Sequence, residues 1–78
     1  MKVVIYSTPT CPYCLQAKNY FESKNIGYTN IDVSTDQKAA QEMVDLSGQM
    51  GVPVIKINDK VVIGFDKGKI EALLISNE

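Results

Sequence analysis

Cys11 and Cys14 are the only cysteines in the chain, and they flank Pro12 and Tyr13 in the stretch "YSTPTCPYC". Two thiols at this spacing could be half of a metal site, a structural staple, a pair of inert core residues, or a reversible dithiol. A structural zinc site draws on four ligands, usually cysteine and histidine. The chain has no histidine, so zinc would need carboxylates or a second chain. A disulfide across two residues closes too small a loop to restrict the unfolded chain much. Inert thiols belong inside a hydrophobic face, whereas this pair follows a β-prone run and sits beside a proline where a helix opens.

Dithiol exchange has a mechanism at that place. Cys11 at the N-terminal edge of a helix has unpaired backbone N–H groups and the positive helix end aimed at its sulfur. That setting favours the thiolate, which is the species that attacks a disulfide. Pro12 suits the first helical turn, where its missing N–H costs nothing. Cys14 lies nearly one turn further on and can resolve a mixed disulfide formed on Cys11. Cys11 is therefore the expected nucleophile and Cys14 the resolving thiol. Thr10 and Pro12 frame Cys11 as supporting residues; Lys18, one turn after Cys14, either adds positive potential or is only a solvated helix residue, the more frequent case for such a lysine.

The elements that must hold this pair can be read from periodicity. Val3 to Tyr6 is a continuous β-prone run, as in a strand covered on both faces. Leu15, Ala17, Tyr20 and Phe21 recur at helical spacing, and that helix should stop near Asn25, with Gly27 as the terminating residue. Tyr28 to Val33 alternates as a second strand. Ser34 or Thr35 is expected to cap a helix with Ala40, Met43, Val44 and Leu46 on its apolar face, ending at Gly48. Pro53 to Ile57 and Lys60 to Ile63 form a hairpin across Asn58-Asp59. Asp66 caps a last helix with Ile70, Leu73 and Leu74 inward. The order β-α-β-α-β-β-α gives an α/β domain: a parallel βαβ unit followed by an antiparallel hairpin. The 78 residues, 1–78, are expected to form one domain.

Composition narrows the partners. The net charge of −1 leaves no electrostatic footprint for nucleic acid or an anionic membrane. All cations are lysines, so the guanidinium fork that grips carboxylates and phosphates is missing, as is an imidazole base. The apolar run in "MKVVIYS" is too short for a secretion signal, and no stretch could span a membrane. The reducing cytoplasm is the expected compartment, where a permanent disulfide is disfavoured.

With these residues in view, the chain resembles a glutaredoxin from Val3 to about Leu74. Cys11-Pro12-Tyr13-Cys14 is similar to the dithiol motif of that family, "GVPVI" to its cis-proline segment, and "GFDKGKIEALL" to the segment that opens its last helix. The resemblance implies a thioredoxin fold, a four-stranded mixed sheet flanked by three helices. It implies a cis bond before Pro53, which would leave the backbone of Val52 free to pair with an extended thiol peptide. It implies that Gly64, Phe65 and Asp66 lie where the family holds glutathione, with Tyr13 flanking the groove. The activity implied is reduction of protein disulfides or glutathione mixed disulfides by a monomer with no bound cofactor, metal included. Glutathione or another low-molecular-weight thiol would be the electron donor.

Departures from the family pattern are equally specific. Thr8 stands where glutaredoxins usually have a lysine, Gln49 where a basic residue often precedes the Val-Pro loop, and Gly51 where threonine is usual. Ile63 replaces the first of two glycines before the last helix. Each lost cation removes a charge-assisted contact worth about 1–3 kcal/mol when buried and less when exposed, so weaker glutathione binding is expected. The tail resembles instead the small redoxins that serve ribonucleotide reductase. The rival reading is therefore a redoxin reduced by thioredoxin reductase that passes electrons to ribonucleotide reductase or a peroxidase. A third, an iron–sulfur cluster shared by two chains through Cys11, is disfavoured by Pro12, since cluster-holding relatives usually have other residues there.

Overall fold

The computed structural model describes residues 2–49 and 51–76; the side chain of residue 76 is outside the description. Strands β1 (Val3–Ser7), β2 (Thr29–Asp32), β3 (Val54–Ile57) and β4 (Lys60–Ile63) alternate with helices α1 (Pro12–Ser23), α2 (Gln37–Ser47) and α3 (Lys67–Ser76) in the expected order. They form one mixed sheet in the order β2-β1-β3-β4. β1 runs parallel to β2 and antiparallel to β3, and β3 runs antiparallel to β4.

β1 is the organising strand because all five of its residues are buried. Successive side chains of a strand point to opposite faces. Val3 and Ile5 therefore enter one cluster with Ala17, Phe21, Ile55, Ile57, Val62 and Ile70, under α1 and α3. Val4 and Tyr6 enter a second with Ala39, Met43 and Val54, under α2. Burial on both faces accounts for the uninterrupted apolar run in the sequence, and it fixes register, since a slip of one residue would exchange the two sets.

Several boundaries differ from expectation for local reasons. α1 ends through Asn25, not Gly27: Asn25 takes a positive φ of 57°. Its N–H donates to Glu22 O at 3.1 Å and the Ile26 N–H to Phe21 O at 2.9 Å, the paired bonds that close a helix at a left-handed residue. Ser34 and Thr35 do not cap α2. The Ser34 N–H and hydroxyl both donate to Asp32 Oδ1, and the Thr35 hydroxyl donates to Asp32 O, so both serve the preceding turn. Asp36 is the cap, accepting from the Ala39 N–H at 3.0 Å. Ala39 rather than Ala40 is consequently the buried alanine, and Leu46 is exposed. Leu15 is exposed as well, because Cys14, Ala17 and Phe21 set the inward stripe of α1 and Leu15 lies about 100° away from Cys14 around the helix. Gly48 ends α2 at a φ of 75°, as read from the sequence.

Candidate dithiol site

The site lies where β1 hands the chain to α1. Residues 8–11 make a turn in which the Cys11 N–H donates to Thr8 O at 3.3 Å. Cys11 is the cap residue of α1, with extended φ and ψ, and its carbonyl accepts the first helical bond from the Leu15 N–H at 3.2 Å. Pro12 occupies the first helical position. In a cap residue the side chain normally offers oxygen to the N–H groups of the first turn. Here sulfur takes that place, and the Cys14 N–H donates to Cys11 Sγ at 3.1 Å.

The two thiols have opposite surroundings. Cys11 is half-exposed and Cys14 is 1% exposed. Burial, and then the hydrogen bond with Cys11, push the Cys14 thiol up to about 11, against the opposing pull of a Thr8 backbone hydrogen bond and the Lys18 charge.

Across the groove, the Val52–Pro53 peptide is cis. The Cys11 thiol reaches the Val52 carbonyl at a long 3.8 Å, so the sulfur and this loop face each other. Pro53 is buried, and its carbonyl accepts from the Gly64 N–H at 2.9 Å, which ties the two ends of the β3–β4 hairpin together. Gly64 adopts a φ of 76°, a region that a side chain disfavours. Asp66 caps α3, accepting from the Lys69 N–H at 3.2 Å. Cys11, Val52, Pro53 and Gly64 are thus joined by direct contacts, with Asp66 two residues further along the chain.

The remaining expected residues are dispersed around this centre. Tyr13 is 62% exposed at the start of α1. Phe65 turns inward, packing against the first core cluster with its ring 5.8 Å from that of Tyr20. On the other side of Cys11, Thr8, Pro9, Thr10, Pro12, Leu15 and Lys18 line an open groove of about 320 Å³. Leu15 shares the helical spacing of the core residues of α1, and spacing alone carries no signal of its place in this wall. Ile63 is 50% exposed beside Gly64. Among the described residues, no group of three or more histidine, cysteine, aspartate or glutamate side chains could hold a metal ion. No helix among them is long and apolar enough to cross a membrane.

The family model for glutaredoxin matches residues 3–62. A glutaredoxin-like protein of 8.6 kDa from the rubredoxin operon of Clostridium pasteurianum is 47% identical over 72 residues, covering 92% of this chain and 96% of the relative. A crystal structure of a single-substitution variant of a thioredoxin-like protein superposes with a TM-score of 0.89 at 30% identity, covering 95% of each chain. The glutaredoxin-like protein NrdH-redoxin from Escherichia coli, described as having a thioredoxin-like activity profile, superposes with a TM-score of 0.83 at 26% identity, covering 94% of this chain and 95% of that one. The thioredoxin fold expected from the sequence is therefore the fold of this chain.

Proposed function

The chain belongs to the glutaredoxin family, and from that premise we propose that it is a thiol–disulfide oxidoreductase working through a reversible Cys11–Cys14 disulfide. The observation that carries this reading is the half-exposed Cys11 sulfur at a helix cap, with the Cys14 N–H aimed at it from 3.1 Å. Cys11 thiolate attacks a protein disulfide or a glutathione mixed disulfide, joining its sulfur to one half and releasing the other as a thiolate. Cys14 then attacks Cys11 Sγ, forming the internal disulfide and releasing the reduced substrate. Two electrons pass from the cysteine pair to the substrate, and a low-molecular-weight thiol, glutathione in the first instance, returns them. No resident cofactor or metal takes part in this scheme.

In this reading the substrate strand lies along Val52, beside Pro53, with Tyr13 at its flank. Gly64, Phe65 and Asp66 supply the end that would receive a γ-glutamyl group. A dithiol that must be returned to its reduced form suits a reducing compartment such as the cytoplasm. A monomer suffices, since Cys11 and Cys14 both come from one chain.

A second reading keeps the chemistry and changes the donor to thioredoxin reductase, with ribonucleotide reductase or a peroxidase as the acceptor. Ile63, half-exposed beside Gly64, favours it by crowding the place where glutathione would lie. So does the likeness to a redoxin with a thioredoxin-like activity profile. Consumption of NADPH with glutathione and its reductase, compared with NADPH and thioredoxin reductase, decides between them. Turnover in the first assay supports the glutathione reading; turnover only in the second overturns it.

A further inference from the structure

We propose that Lys18 is a positioning residue for the resolving step, its ammonium group stabilising the negative charge that Cys14 must carry to attack a mixed disulfide on Cys11. The proposal rests on the thiol–disulfide reading above. Cys14 and Lys18 are four residues apart on α1, a spacing that places them on adjoining turns of one side of the helix. Helical side chains lean toward the N-terminus of their helix, so the Lys18 stem runs back over the turn that carries the cysteines. Lys18 is half-buried there, and it lines the groove that opens onto Cys11.

The need for such a group follows from the burial of Cys14. A sulfur that is 1% exposed has little water to solvate its charge. The titratable groups acting on it are Cys11, the cap of α1, and Lys18 on α1; the turn before α1 otherwise adds the Thr8 backbone. On the far side, Asp32 at the end of β2 also feels the Lys18 charge.

Of the influences on Cys14, two belong to the free Cys11 sulfur: the hydrogen bond and the charge, both of which oppose ionisation. Once Cys11 is bonded to a substrate sulfur its charge is gone and its hold on the Cys14 proton weakens. Lys18 and the Thr8 backbone then remain to favour the thiolate. Cys14 gives its proton to water, its thiolate bonds to Cys11 Sγ, and the bond from Cys11 to the substrate breaks. The substrate leaves as a thiolate and takes a proton from solvent. The device thus favours ionisation of Cys14 when there is a mixed disulfide to resolve.

Stopped-flow mixing of the reduced protein with the chromogenic disulfide dithiobis(nitrobenzoate) reads the two steps as successive releases of coloured thiolate, with Cys14→Ser giving the first alone. Lys18→Gln is expected to slow the second release about two- to fivefold at neutral pH, the scale of a partly exposed charge interaction. The midpoint of its pH profile should rise by a few tenths of a unit, and Lys18→Arg should restore both. A second release in Lys18→Gln that overlays the wild type at every pH overturns the proposal, as does an arginine that restores nothing. Absence of any second release from the wild type would instead remove the thiol–disulfide reading itself.

Discussion

The Cys14 backbone N–H donates to Cys11 Sγ at 3.1 Å, while the Cys14 sulfur is itself 1% exposed. In the proposed mechanism one residue thereby prepares the attacking sulfur through its backbone and holds its own thiol in reserve. The asymmetry makes the roles separable. Cys14→Ser should accumulate a stable mixed disulfide on Cys11 when offered a disulfide substrate, at close to one equivalent per chain by mass. Cys11→Ser should trap none and lose turnover entirely. Trapping by Cys11→Ser would reverse the assignment.

Burial of Cys14 also links stability to pH. Its thiol is raised from 9.0 to about 11, so the native state holds the proton more tightly than the unfolded chain. The stabilisation is fully present below pH 9 and is lost as the pH rises through about 11, amounting to about 3 kcal/mol at most, at about 1.36 kcal/mol per pH unit. Urea unfolding of the reduced protein at pH 8 and pH 11, compared with Cys14→Ala, isolates it. The pH-dependent loss should be smaller in Cys14→Ala by about that amount.

Asp66 combines a cap with a place at the expected ligand end, and two substitutions divide these. Asp66→Ala removes the acceptor for the Lys69 N–H and should cost about 1 kcal/mol of stability. Asp66→Asn keeps an acceptor of similar capping strength but drops the charge. It should stay near wild-type stability while raising the apparent KM for glutathione. An unchanged KM in Asp66→Asn would leave Asp66 as a cap alone.

How much of this was legible beforehand varies with the range of the interaction responsible. The order of elements was readable because β1 is buried on both faces and carries an unbroken apolar run, while Gly48 and Asp66 end and begin helices through local chemistry. The cap of α2 was not, since Ser34, Thr35 and Asp36 can all cap, and Asp32 draws the first two into its own turn. Leu15 fits helical spacing as well as Ala17 does, but its side of α1 is left exposed. The pairing of Cys11 with Val52, 41 residues away, has no local signal, and it was anticipated only through likeness to a family.

The core that positions the dithiol is thin, and Phe21 is its largest fully buried side chain. Phe21→Ala should cost about 3–5 kcal/mol. A domain of this size has roughly 4–12 kcal/mol in total, from about 0.05–0.15 kcal/mol per residue. Denaturant titration should therefore find a large part of the stability gone, with the bias of dithiol reactivity toward Cys11 weakened. A loss below 1 kcal/mol would mean that the first cluster does not hold the site.

In the proposed mechanism Cys11 and Cys14 interconvert between two thiols and one internal disulfide. Intact-mass spectrometry of the wild-type protein, before and after brief treatment with a small disulfide oxidant, reads that interconversion. The expected result is loss of two hydrogen atoms, a single crosslink between Cys11 and Cys14 on peptide mapping, and full return of both thiols on adding excess glutathione or dithiothreitol. A wild-type protein that instead keeps a stable adduct on Cys11, with Cys14 still a free thiol, would contradict it.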